Sequence, residues 1–222
     1  MSATSEAVLP RYGFGDELAS SVIHGIGILL SVAGLGMLVV HAAAAGTASD
    51  VLASAVYGIS LILLYTASTL YHTIRTESAR RTLRTLDHIA IFLLIAGTYT
   101  PFTLIALRGT WGWSLFGIVW SLALLGSALE LGVLKRYRRF AVLLYVAMGW
   151  VGIAAFRPLL AHLQTGGMVL LLAGGAAYTL GVPFYLWRRL PYHHSVWHFF
   201  VLAGSVLQFL AVFFYVIPAT HT

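Results

Sequence analysis

Seven apolar stretches, each close to the length needed to cross a bilayer, run through the 222-residue sequence. A span takes about 20 mostly apolar residues, because the hydrocarbon core is about 30 Å thick and a helix rises about 1.5 Å per residue. The stretches cover residues 18–41, 51–73, 86–107, 111–134, 140–156, 166–187 and 196–217. The fifth is the shortest. Backbone groups find no water in hydrocarbon, so runs of this kind must satisfy their own hydrogen bonds as helices. The expected fold is an all-α integral membrane protein, a bundle of seven transmembrane helices. Residues 18–217 then form one transmembrane domain, with a short segment 1–17 before it and a tail 218–222 after it. Hydrophobic residues make up 59% of the chain and charged ones 9%, whereas soluble domains carry about 25% charged residues.

The basic residues set an expected orientation. Arg11, the group Arg75, Arg80, Arg81 and Arg84, the group Lys135, Arg136, Arg138 and Arg139, and the pair Arg188 and Arg189 all fall in segments on one side. Only Arg108 and Arg157 fall on the other. The positive-inside rule therefore places the N-terminus in the cytoplasm and, after seven spans, the C-terminus outside. The same flanking residues account for the net charge of +6 without a nucleic-acid partner. The first sixteen residues, with Glu6, Pro10, Arg11 and Asp16, have no apolar core, so no signal peptide is expected and the first span acts as its own insertion signal. The chain contains no cysteine, which excludes disulfides, thiolate ligands and thiol catalysis. Pro101 and Pro183 fall within spans and should disturb them. Trp111 and Trp113 at one end, and Trp187 and Trp197 at the other, suit interfacial anchoring.

Ionisable residues inside a bilayer are costly, so their positions carry information. Glu17, Ser20 and His24 share one face at the start of the first span, and Ser68 and His72 share one at the end of the second. Asp87 and His88 open the third, while His194 and His198 sit four apart at the mouth of the seventh. All these groups lie within one or two turns of the same membrane surface. His41, His162, His193 and His221 read as surface histidines, His88 as a structural hydrogen-bonding group, and Glu130 as a charge facing the basic run 135–139.

Two histidines at i and i+4 stack their rings on one helix face and can offer two nitrogens to one metal ion. With His72 as a third, the set matches the three nitrogens and open position of a catalytic zinc site. Asp87 can balance the charge and orient water, or accept a hydrogen bond from a ligand's second ring nitrogen. Ser68 is a second hydrogen-bonding candidate. Glu17, Ser20 and His24 would form the wall or outer layer.

The pattern Glu17-x-x-Ser20-x-x-x-His24-Gly25-x-Gly27, the run Ser68-Thr69-Leu70-Tyr71-His72, the segment from Asp87-His88 to Thr100-Pro101-Phe102, and His194-x-x-x-His198 together resemble the bacterial hemolysin III family. That family belongs with the progestin and adipoQ receptors. The resemblance covers nearly the whole chain. It implies seven helices and a zinc ion near the inner face, held by His72, His194 and His198 with Asp87 and Ser68 around it. Two positions depart from the family's pattern: Ser20 stands where Asn is usual, and Ser195 where the last motif often reads H-E-x-x-H. The first leaves open which first-helix group faces the metal. The second removes a metalloprotease-type base.

The expected function is that of a zinc-dependent hydrolase of lipid amides or esters in the cell membrane, or of a lipid-sensing regulator, with membrane lipid as substrate or ligand. Relatives in the wider superfamily are regarded as lipid hydrolases. A pore-forming haemolysin is the alternative from a different class, but a pore needs a polar path across the whole bilayer. A haem protein would need facing histidines across a flat cofactor. A proton-coupled transporter would want ionisable groups at the midplane.

Overall fold

The computed structural model describes residues 12–132, 134 and 137–217. Among these, every regular element is helical: α1 (Phe14–Ala45), α2 (Ala48–Thr73), α3 (Glu77–Pro101), α4 (Gly109–Glu130), α5 (Arg138–Gly149), α6 (Phe156–His162), α7 (Thr165–Leu186) and α8 (His193–Ala211). Seven helical segments are long and apolar enough to cross a membrane, with α5 and α6 together making the fifth, Phe140–His162. The outward faces are apolar, as a lipid environment requires. Leu29 and Val40 of α1 and Phe214 beyond α8 are each more than 60% exposed. Arg11, Lys135, Arg136, His221 and the tail 218–222 lie outside the described residues.

Helix ends differ from those read by hydropathy, and the differences matter for the site. Helix α3 begins at Glu77, well before residue 86, because the charged stretch containing Arg80, Arg81 and Arg84 is helical though not apolar. Helix α8 begins at His193, straight after Tyr192, whose φ of 54° is left-handed. That sharp entry lets His193 and His194 lie in the first turn. Pro101 closes α3, and a π-helical turn over Phe102–Leu107 follows, consistent with a ring that removes a donor and crowds the preceding turn. The fifth span is interrupted by a 3₁₀ turn at Val151–Ala155, and α6 carries it on to His162, beyond the apolar run that reveals it in the sequence.

Helix α1 packs closely along α2 through small residues. A Cβ on Gly58 would stand 2.6 Å from Leu35 Cδ1 and 3.1 Å from its Cα, and one on Gly27 would collide with the Tyr65 ring. Close backbone approach of this kind supplies the van der Waals contact that holds helices together in lipid.

The two ends of the bundle are tied by different polar groups. At one end, Asp50 is fully buried. Its Oδ2 accepts the Thr47 N–H at 2.8 Å, and both its oxygens accept from Arg108 Nη2 at 3.1 and 3.2 Å. This tie joins the α1–α2 turn to the α3–α4 turn. The candidate functional residues gather at the opposite end, called here the site end. Asp50→Ala is expected to lower the melting temperature of the purified protein by a few degrees, because a buried carboxylate partner is lost, while leaving metal content unchanged.

Candidate metal centre

Two helices bring a buried group of imidazoles together at the site end. His72 comes from the last turn of α2, and His194 and His198 from successive turns of α8. All three are buried, at 5%, 5% and 3% exposure. His72 Nε2 stands 3.2 Å from His194 Nε2 and 3.1 Å from His198 Nε2. One ligand atom from each ring lies within 4.8 Å of the others, so the trio could hold a metal ion.

The residues fit such an ion on two grounds. A tetrahedral centre with metal–nitrogen bonds of about 2.0–2.1 Å sets its ligand nitrogens about 3.3–3.4 Å apart, close to the observed spacings. The trio also cannot satisfy itself by hydrogen bonding. His72 Nδ1 faces Glu17 Oε2 at 2.5 Å, and donating to that carboxylate leaves Nε2 with one lone pair. Two neighbours compete for that single lone pair, while His194 Nδ1 and His198 Nδ1 have no hydrogen-bond partner among the described residues.

The first turn of α1 holds this arrangement together. Glu17 is 9% exposed and lies between two helices: its Oε2 meets His72, and its Oε1 accepts from Arg80 Nη2 of α3. A carboxylate on Nδ1 fixes the ring orientation and the tautomer that turns Nε2 toward a metal. Asp16, next in the chain, serves α8. Its Oδ1 accepts the Ser195 N–H at 2.9 Å, and Ser195 Oγ also donates to it. Asp16 thus covers one of the open N–H groups at the α8 N-terminus. Ser195 Oγ lies 3.2 Å from Ser20 Oγ, so these two hydroxyls meet each other. The His24 ring packs edge-on to His198, with centroids 3.9 Å apart. The three first-helix residues therefore reach three different partners.

Ser68 lies one turn before His72. It is fully buried, and its hydroxyl has no hydrogen-bond partner among the described residues. Asp87 lies in the wall of a cavity that also includes His24, His88, His194 and His198. His88 meets Glu130 of α4, with Nδ1 to Oε1 at 3.3 Å. Glu130 is 1% exposed, so it reaches inward across the bundle to α3; Lys135, Arg136 and the side chains of Arg138 and Arg139, which the sequence reading has it face, lie outside the described residues. His193 is half-buried in the first turn of α8 rather than in a surface loop, with Nδ1 3.2 Å from Phe184 O.

The imidazole group is shared between two spaces of opposite character. The cavity, of about 200 Å³, continues away from the site end between α3, α5, α7 and α8, lined mainly by aliphatic and aromatic side chains. Trp197, expected as an interfacial anchor, lines it. Gly181 of α7 makes room for that indole, since a Cβ there would stand 2.8 Å from Trp197 Cε3. On the other side of His72 is a second, polar space of about 220 Å³ bounded by Tyr12, Phe14, Glu17, His72, Arg75 and Arg80.

Two residues here escape sequence reasoning. Arg80 reads as one orientation charge among many, and only the helical start of α3 brings it to Glu17. Its guanidinium also lies over the Tyr71 ring, 5.2 Å from the centroid. Tyr12 precedes the first apolar run, and it stacks on His194 with centroids 4.3 Å apart. Burial, and secondarily the nearby phenols of Tyr185 and Tyr71, hold its hydroxyl protonated far above the ordinary range. It covers the imidazoles as a neutral aromatic.

Fold and site together define a polytopic, seven-helix membrane protein with a buried three-imidazole candidate metal centre. The sequence matches the family model described as "Haemolysin-III related" over residues 12–209. It is 48% identical to "Hemolysin-3" of Bacillus cereus, covering 91% of this chain and 93% of that protein. Identity to the "Hemolysin-3 homolog" of Bacillus subtilis (strain 168) is 45%, over 90% and 94% of the two chains. A more distant relative is the human "Monocyte to macrophage differentiation factor", 26% identical over 72% of this chain and 68% of that one. No solved structure gives a significant match. The chain belongs to the haemolysin-III related family.

His72→Ala is expected to abolish stoichiometric metal, measured by elemental analysis of the purified protein. Full retention of metal contradicts the assignment. Glu17→Gln keeps the shape but removes the charge facing Nδ1, and chelator competition should read about a 10- to 100-fold loss of metal affinity.

Proposed function

We propose that the protein is a zinc-dependent membrane hydrolase that cleaves an amide or ester bond of a lipid. The observation that carries this reading is the placement of the three imidazoles between an apolar cavity and a polar space. Such an arrangement suits a lipid, whose chains need an apolar enclosure and whose cleavage needs water.

In this reading His72, His194 and His198 hold the ion. Zinc is preferred because an all-imidazole, open-position set is characteristic of it. Bound there, zinc supplies Lewis acidity toward a carbonyl and acidifies water. The protein's own groups do the rest. The polar space beside His72 admits water past Arg75 and Arg80. Asp87 takes up the proton that water gives off and returns it to the departing amine or alcohol. The Ser68 hydroxyl donates to an oxygen beside the imidazoles. Glu17, tied to Arg80, keeps His72 in its tautomer, and Tyr12 covers the group from the site end.

The transmembrane domain of this proposal takes in the first turn of α1, with Asp16 and Glu17, ahead of the apolar run that starts at residue 18. Arg75, Arg80, Arg81, Arg84, Arg188 and Arg189 all lie at the site end. This supports a cytoplasmic N-terminus and a centre near the inner face of the cell membrane. A lipid-sensing role uses the same cavity without turnover.

The names of the two Bacillus relatives favour a second reading, a haemolytic or pore-forming protein. Against it, the cavity wall beyond the imidazoles is predominantly aliphatic and aromatic, unlike the polar path that conduction requires. Protein-dependent conductance across pure lipid bilayers would favour this second reading.

The hydrolase is tested with zinc-loaded protein in lipid nanodiscs against a panel of long-chain amides and esters. Turnover is expected, and Asp87→Asn should keep the metal yet lose about 10²- to 10⁴-fold in kcat. Absence of turnover on the whole panel by metal-replete protein contradicts the catalytic half.

A further inference from the structure

The apolar cavity has one polar feature far from the imidazoles that no part of the proposed chemistry uses. Gln208 lies on α8, ten residues beyond His198, which is about 15 Å along the helix axis. Its side chain lines the cavity and the residue is 4% exposed. Its Nε2 donates to Leu171 O of α7 at 3.0 Å, which orients the amide. Its Oε1 is buried with no hydrogen-bond partner among the described residues.

The other polar side chains lining this part of the cavity are satisfied within the protein. Thr98 donates to Leu94 O at 2.8 Å, and the Tyr178 hydroxyl pairs with Ser205 Oγ at 2.8 Å. The Tyr99 hydroxyl donates to Gly149 O and accepts the Gly152 N–H. Thr179 donates to Gly175 O and accepts from Trp150 Nε1. Among the described residues that line this part of the cavity, the Gln208 carbonyl is the one left over. The fold also makes room for this amide, because a Cβ on Gly174 would stand 2.7 Å from Gln208 Nε2 and 3.0 Å from its Cδ. A buried acceptor with no donor is unfavourable, and a ligand that brings a donor relieves it.

We propose that Gln208 is a specificity-determining residue. It accepts a hydrogen bond from a donor, a hydroxyl being the simplest, carried partway along the chain of a long amphiphile whose head group lies at the imidazoles. The lining residues of α8 run from His194 to Gln208, about 21 Å by helical rise, so the ligand class is elongated. A donor beside the head group would miss Gln208 by most of that length. The preferred ligand is thus a mid-chain hydroxylated acyl lipid rather than a plain or head-hydroxylated one. This inference rests on the reading of the cavity as an acyl-chain site.

The test uses full-length protein in nanodiscs and three probes: octadecanoate, its α-hydroxy derivative and its mid-chain hydroxy derivatives. Binding is followed by tryptophan emission, because Trp150 and Trp197 line the cavity. One of the mid-chain hydroxy acids is expected to bind about five-fold more tightly than octadecanoate, the worth of one neutral hydrogen bond. The α-hydroxy acid should show no gain. Gln208→Met should erase the difference between the acids. Gly174→Ala, which crowds the amide without removing it, should do the same and serves if the first variant does not fold. Equal affinity of native protein for all the acids, or a preference that survives both variants, overturns the role of Gln208 while leaving the cavity reading intact. Binding of none of the acids overturns the acyl-chain reading, and the inference with it.

Discussion

The site depends on the carboxylate of Glu17, which is shared between an imidazole of α2 and a guanidinium of α3. Three helices meet at that group, and the ring it orients is the one to which both α8 histidines turn. Its neighbour Asp16 secures the first turn of α8 through Ser195. Two consecutive acids at the start of α1 therefore hold the separate parts of the centre in register. The Glu17 and His72 side chains are largely buried, and opposite charges attract more strongly at the lower effective dielectric of such a site than at an open surface. This clamp also keeps the centre shaped by protein contacts, so that an ion enters a prepared set of donors.

The clamp gives the surrounding features a common logic. Tyr12 can cover His194 because the chain enters α1 directly above the imidazoles. Arg80 is paired with Glu17, and Asp87 in the cavity wall is the carboxylate to which the proposed chemistry gives the balancing of an ion's charge. The apolar cavity is lined by His194 and His198 and the polar space by His72, so the imidazoles stand between the two, which is where the proposed chemistry would have water. The Asp50–Arg108 tie at the far end closes the bundle without adding reactive groups.

Much of this was legible in the sequence, and for physical reasons. Hydrocarbon forces backbone groups into helices, so seven spans could be read from apolar length alone. Polar side chains are so costly in that setting that His72, His194, His198, Asp87 and Ser68 stood out by depth and spacing. The face shared by Glu17, Ser20 and His24 was also readable, but not its division among His72, Ser195 and His198, which depends on how α1 crosses its neighbours. Arg80 was hidden because hydropathy cannot distinguish a charged helical turn from a loop. Tyr12 gave no signal for the complementary reason: it lies outside any apolar run, where aromatic residues are common. Gln208, a lone amide in an apolar span, has no local pattern to betray it, and only the partners of its neighbours single it out. The break in the fifth span was invisible because its 3₁₀ turn is as apolar as the helices beside it.

The central claim is that three imidazoles from two helices hold one metal ion. X-ray absorption spectroscopy of the zinc-loaded protein tests it most directly, since the first coordination shell and the imidazole scattering pattern are read without reference to any activity. The account predicts three histidine nitrogens at about 2.0–2.1 Å, with an oxygen donor completing the shell. A shell made of oxygen alone, or one with fewer than three imidazoles, would contradict it.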